Sequence, residues 1–164
     1  MSDHPTDDTP TASIEPKQVP IPRWAVRSIW FGHRALYSVT RGRVGLRTPR
    51  ADRYGTLRLT TTGRRSGEER KAVLAYLEDG PDLLLMAMNG WAEPAPAWYL
   101  NLQAHPDASV DLPDGSREVR ARVADEDERP RLWAKWQALP GDLDAYAAAV
   151  SHETPVVILE PRPA

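Results

Sequence analysis

Two runs of alternating apolar and polar residues, separated by a short basic turn, constrain the fold of this chain most strongly. Residues 56–62 read TLRLTTT and residues 70–77 read RKAVLAYL, with the period of two that is typical of strands. The segment between them, GRRSGEE, contains two glycines and favours a turn. Because successive strands joined by a short turn pair antiparallel, we expect a hairpin here.

The rest of the chain predicts more short strands, with helices inserted late. The predicted strands read LLLMAM, ASVDL, REVRARVA and TPVVILEP, and the predicted helices read WYLNLQAH, DEDERPRLWAKWQAL and DLDAYAAAV. The segment NGWAEPAPA is predicted to be a loop because it is rich in glycine and proline. This order predicts an α+β domain built around a small antiparallel barrel or sheet.

The chain divides into an N-terminal tail and one domain. Residues 1–22 carry five prolines and no apolar periodicity, so they are predicted to be a disordered tail. Residues 23–164 are predicted to form a single domain that opens with a helix, whose apolar residues recur at spacings of three and four. The aromatic and arginine-rich stretch 23–37 could touch an anionic membrane surface, or it could face its own core.

Charge is distributed unevenly along the chain. The net charge is -2, yet residues 21–75 contain thirteen Arg or Lys against three Asp or Glu. Such an excess favours either a polyanionic ligand or a solvated basic face. No nucleic-acid-binding motif is present, so nucleic acid is not the expected partner. No apolar run approaches the ~20 residues of a membrane span, and we expect a cytoplasmic protein, with membrane association as an addition to test.

Several chemistries are excluded by what the sequence lacks. There is no cysteine, and the four histidines form no i, i+4 pair, so no metal site is predicted. The motifs G-x-G-x-x-G, G-x-x-x-x-G-K-[ST] and G-x-S-x-G are all missing. If the protein is an enzyme, a bound cofactor is therefore expected to carry the chemistry.

The basic turn is a candidate anion site. Successive backbone N–H groups in a glycine-rich turn can surround an anion. Arg64, Arg65 and Arg70 could add guanidinium donors, and Ser66 could add a hydroxyl. The alternative is a solvated loop whose arginines serve solubility.

Three segments together carry a family resemblance. The segments LTTTGRRSGEER, NGWAEPAPAWYLNLQAHP and TPVVILEP occur in the order and at the spacing of the deazaflavin-dependent nitroreductases, the quinone reductases that use coenzyme F420. The resemblance covers about residues 24–161. It implies a split β-barrel, mainly antiparallel, with an N-terminal helix and peripheral helices.

The resemblance also implies roles for particular residues. The F420 phosphodiester and oligoglutamate tail would be held by Arg64, Arg65, Ser66 and Arg70. The deazaflavin ring would lie near four further positions, which are Ala87, Met88, Trp98 and Asn101. Tyr146 matches a tyrosine on the substrate side and is the candidate catalytic residue.

Two departures from the family pattern concern the acceptor. Met88 stands where the family often has serine, and Leu143 stands where it often has a second tyrosine. Both changes predict a more apolar acceptor pocket. The resemblance implies hydride transfer from reduced F420 to a small quinone-like or other electron-poor acceptor, with nitro compounds as a further class. The alternative is a non-catalytic protein that binds F420 or a lipophilic ligand. The protein is expected to be a monomer or a homodimer.

Overall fold

The computed structural model describes residues 45–89, 94–141, 143–148 and 150–163. These ranges contain β1 (Gly55–Thr62), β2 (Glu69–Asp79), β3 (Asp82–Met86), α1 (Ala97–Ala104), β4 (Asp107–Leu112), β5 (Gly115–Val123), α2 (Arg129–Gln137), α3 (Leu143–Ala148) and β6 (Val156–Pro161). All of them fall in one compact unit, residues 39–164. The expected tail and the expected helix with its membrane contact lie outside the described residues, so both stay predictions.

All six strands of the described ranges close into one antiparallel barrel in the order β1–β2–β3–β6–β5–β4. The hairpin expected from the sequence is the β1–β2 pair. On its other side β1 pairs with β4, where Arg58 lies opposite Asp111, and this pairing closes the barrel. Closure leaves no long unpaired strand edge. The expected α+β barrel architecture is therefore confirmed.

The barrel interior is filled by residues that alternate along each strand. In β1, buried and partly exposed positions alternate without interruption, and Leu57 and Leu59 are fully buried. The ring of Tyr76 from β2 lies among them. Its burial raises the pKa of Tyr76 to about 12, so this phenol stays protonated at neutral pH.

A second apolar cluster lies between α2 and the outer face of β3 and β6. Leu84 of β3 lies opposite Ile158 of β6, and both pack with Leu132 of α2. Since Leu83 and Leu85 face the barrel interior, both faces of β3 are buried. Burial on both faces explains why β3 reads as a continuous apolar run rather than an alternating one.

Helix α2 is fixed to the barrel by charged groups. The Asp79 carboxylate, at the end of β2, accepts bonds from Arg131 Nη1 and Nη2 at 3.0 and 2.8 Å and from Lys135 Nζ at 2.5 Å. These bonds, the one from Arg131 first, lower the pKa of Asp79 to about 2. Arg122 of β5 bridges Glu128 and Glu160. The helix is thereby tied to the barrel at two points.

Some element boundaries differ from the sequence-based expectation. The acidic residues 125–128 form a turn, and α2 begins only at Arg129. The reason is local, because Asp125 Oδ1 accepts the backbone N–H groups of Asp127 and Glu128 at 3.1 and 2.8 Å, so these residues form the capped turn that precedes the helix. No helix within the described ranges is both long and apolar enough to cross a bilayer.

Candidate functional site

The turn between β1 and β2, residues 63–68, is compact and depends on glycine. The Gly63 N–H donates to the Glu68 carbonyl at 2.7 Å, and the Gly67 N–H donates to the Gly63 carbonyl at 2.8 Å. Gly67 has a φ of 70°, in the left-handed region. A Cβ at Gly63 would lie 2.9 Å from Ser66 Oγ. The turn therefore folds back on itself in a way that a side chain at Gly63 would obstruct.

The three arginines of this turn are exposed and differ in their partners. Arg70 Nη2 donates to Ser66 Oγ at 3.1 Å and to Glu68 Oε2 at 2.9 Å. Arg65 makes no hydrogen bond or ion pair with any described residue. Arg64 donates only to an uncharged amide oxygen, and no described carboxylate pairs with it. No described carboxylate therefore neutralises the positive charges of Arg64 and Arg65, which suits these two guanidinium groups to binding an oxyanion.

Asn101 of helix α1 joins this turn to the barrel. Its side chain is 4% exposed. Asn101 Oδ1 accepts from the Arg64 backbone N–H at 3.2 Å and from Arg64 Nη1 at 3.4 Å, and its Nδ2 donates to Thr61 Oγ1 at 3.1 Å. The sequence led us to expect Asn101 beside a cofactor ring. In the structure its amide bonds to Arg64 and Thr61, and its place beside a ring stays a prediction.

Trp98 and Ala87 both belong to the main core cluster. Trp98, one turn before Asn101 on α1, is 9% exposed and meets the Tyr99 ring edge-on, with centroids 6.2 Å apart. Ala87 follows β3, belongs to the same core cluster, and donates its N–H to the Pro155 carbonyl at 2.9 Å. Met88, the next residue, is partly exposed. Trp98 is therefore largely buried, and only a small part of its side chain is accessible to a ligand.

Tyr146 lies in α3, which is far from the arginine turn along the sequence. Helix α3 is bonded to α2, since Asp144 accepts from Trp133 Nε1 at 3.0 Å and from Gln137 Nε2 at 2.7 Å. The Tyr146 side chain is outside what the structure describes, so its relation to the other site residues stays a prediction.

Two residues of the site were not identified from the sequence. Thr61 is 2% exposed and links Asn101 to β2, since its hydroxyl donates to the Arg70 carbonyl at 3.4 Å. The alternation in β1 indicates that Thr61 points inward, but it does not reveal that Asn101 is its hydrogen-bond partner. Glu68 is the second, because its carboxylate accepts from Arg70 Nη2 at 2.9 Å. The described residues contain no group of three or more potential metal ligands.

Comparisons with known proteins agree on one family. A sequence profile for the family described as F420H(2)-dependent quinone reductase matches residues 30–161. An F420H(2)-dependent quinone reductase of Mycobacterium tuberculosis is 31% identical over 150 residues, which cover 87% of this chain and 99% of that protein.

Two solved structures resemble the chain over most of their own length. One is described as a domain-swapped dimer, with a TM-score of 0.62 and 25% identity, covering 82% of this chain and 99% of that one. Another, described as an F420-H2 dependent reductase, has a TM-score of 0.58 and 30% identity and covers 64% of this chain and 93% of that one. Both likenesses support the split-barrel fold.

Proposed function

Because the chain belongs to the F420H(2)-dependent quinone reductase family, we propose that it is an oxidoreductase that uses reduced F420 to reduce a quinone. The observation that carries the proposal is the turn at residues 63–68, where two exposed arginines lack a carboxylate partner among the described residues. A phosphodiester followed by glutamate carboxylates offers several oxyanions in a row. Planar, permanently charged guanidinium groups bind such oxyanions well.

The donors of the turn fit this cofactor. Arg64 and Arg65 would bind the phosphate and the first carboxylates directly, since no described acid competes for them. Arg70 and Ser66, already bonded to each other at 3.1 Å, would add a further donor pair. The close packing around Gly63, where an added Cβ would meet the Ser66 hydroxyl and the Glu68 carbonyl, holds the turn in a compact shape. FMN, with its single phosphate, would use fewer of these donors.

When bound, reduced F420 supplies a hydride to the acceptor. The chain itself orients the two reactants and excludes water from the space between them. Ala87 and Met88, which follow β3, and the exposed edge of Trp98 on α1 would lie beside the deazaflavin ring. A quinone that accepts a hydride also needs one proton to become a hydroquinone. We propose the Tyr146 hydroxyl as its donor.

The acceptor is proposed to be a lipophilic quinone. Met88 and Leu143 put apolar side chains where serine and tyrosine are common in the family, so a polar nitro group would find fewer hydrogen-bond partners. Fast reduction of small polar nitroaromatics, without quinone turnover, would contradict this choice. A non-catalytic F420-binding protein is the alternative, and multiple turnovers of reduced F420 with a quinone would exclude it.

The decisive experiment is a fluorescence titration of the protein with oxidised F420, matched by a titration with FMN. Tighter binding of F420 is expected because more oxyanions meet the arginines. Equal or tighter binding of FMN would overturn the proposed cofactor.

Two features of the assembly are proposed alongside this activity. Residues 23–37, which lie outside the described residues, are proposed to contact anionic membranes, where lipophilic quinones reside. Flotation with liposomes should then require anionic lipid and weaken with salt. A homodimer is proposed because one similar structure is described as a domain-swapped dimer. Light scattering of the full chain measures the mass directly.

A further inference from the structure

The Asn101 amide has one possible orientation. Its Oδ1 faces two donors of Arg64, the backbone N–H and Nη1, and arginine has no acceptor on either group. The nitrogen must therefore face Thr61 Oγ1, which accepts at 3.1 Å. Asn101 and Thr61 are 4% and 2% exposed, so water cannot readily replace these bonds.

Thr61 carries the connection to the second strand of the hairpin. It lies directly opposite Arg70 in the β1–β2 register. Its hydroxyl donates to the Arg70 carbonyl at 3.4 Å while accepting from Asn101. The bonds from Arg64 through Asn101 and Thr61 to Arg70 form one continuous series, which we name the brace. It joins helix α1 to both ends of the turn.

The brace orients Arg64 without reducing its charge. A carboxylate at position 101 would accept the same two bonds from Arg64 and would neutralise the guanidinium. The neutral amide leaves that charge available to a ligand. Unlike a carboxylate, a neutral amide at position 101 accepts both hydrogen bonds from Arg64 and leaves the positive charge of Arg64 available to an anion.

We propose that Asn101 and Thr61 are positioning residues for the anionic tail of the cofactor, and that Asn101 acts through Arg64 rather than by touching the deazaflavin ring. The inference rests on the proposed function, because it takes the F420 tail as the anion. It assigns Asn101 a different task from the ring contact that the sequence suggested, and it adds Thr61 to the site.

A double-mutant cycle with two ligands tests the proposal. Affinity for F420 and for the same chromophore without its phosphate and glutamates is measured for the wild type, Asn101→Ala, Arg64→Ala and the double variant. Each single change should weaken F420 binding about tenfold, the value of one charge-assisted bond. The double variant should be no weaker than the weaker single variant. Affinity for the tail-less chromophore should not change.

Conservative variants separate positioning from general stability. Asn101→Asp should keep the fold, as measured by its melting temperature, and still lose F420 affinity because Arg64 is neutralised. Thr61→Ser should bind like the wild type, whereas Thr61→Val, which lacks the hydroxyl, should bind more weakly. Gln103→Ala is the control on the same helix, since Gln103 is exposed and bonds to Tyr99 rather than to the turn. Its F420 affinity should not change.

Each outcome decides the matter. An equal loss for the two ligands in Asn101→Ala would mean that Asn101 touches the ring, and would overturn the proposal. Additive losses in the double variant, or full affinity in Asn101→Asp, would overturn it too. If the wild type binds F420 and Asn101→Ala binds it equally well, this inference alone fails. If the wild type does not bind F420, the proposed function fails first.

Discussion

Replacing Asp79 with asparagine tests whether the charged contacts of α2 stabilise the barrel. Asp79 is 22% exposed at its side chain and accepts bonds from both Arg131 and Lys135. Asparagine keeps the shape and removes the charge. Helix α3, which carries Tyr146, is bonded to α2 through Asp144. A loosened α2 would therefore also disturb the proposed proton donor.

The magnitude follows from the pKa of Asp79, which the two cations lower from 3.8 to about 2. At about 1.4 kcal/mol for each pKa unit, this difference corresponds to roughly 2 kcal/mol of stability. The side chains of Arg131 and Lys135 are 57% and 39% exposed, so solvent screening reduces the expected value to about 1–2 kcal/mol. Because the folded pKa lies below the unfolded one, this stability is present above pH 3.8 and is lost as the pH falls toward 2.

Urea unfolding at a series of pH values from 7 down to 2.5 measures the effect. At pH 7 the variant should be about 1–2 kcal/mol less stable than the wild type. The gap should shrink as the pH falls below 4, because the wild-type carboxylate becomes protonated. Asp114→Asn is the matched control, since Asp114 forms an exposed pair with Arg117 and its loss should cost little. A gap that stays constant with pH would refute the reasoning.

Three further predictions concern the proposed site. Arg65→Ala and Arg70→Ala should each weaken F420 binding about tenfold in a fluorescence titration, and unchanged affinity in both would place the tail elsewhere. Glu68→Gln should strengthen F420 binding about twofold to fivefold, because the exposed Glu68 carboxylate no longer competes for Arg70; weaker binding would count against that competition. Tyr146→Phe should slow quinone turnover without changing F420 affinity, and full turnover would remove the proposed donor.

The sequence alone was enough to predict most of the local structure. Alternation of period two marked β1 and β2, because successive side chains of any strand point to opposite faces. Glycines marked the turns, and the basic turn 63–68 was recognised as the candidate anion site. The three family segments pointed to the cofactor and the split barrel, and the comparisons bear this out. These signals are carried by neighbouring residues, so they can be read without knowing what lies across the fold.

Only the tertiary structure decided which distant groups meet. Nothing local to helix α1 indicates that Asn101 bonds to Thr61 and Arg64, which are 40 and 37 residues away. Closing the barrel through the β1–β4 pairing fixes these encounters, since it places the helix between β3 and β4 against the hairpin turn. Alternation determines which face a side chain occupies, whereas barrel closure determines its partner.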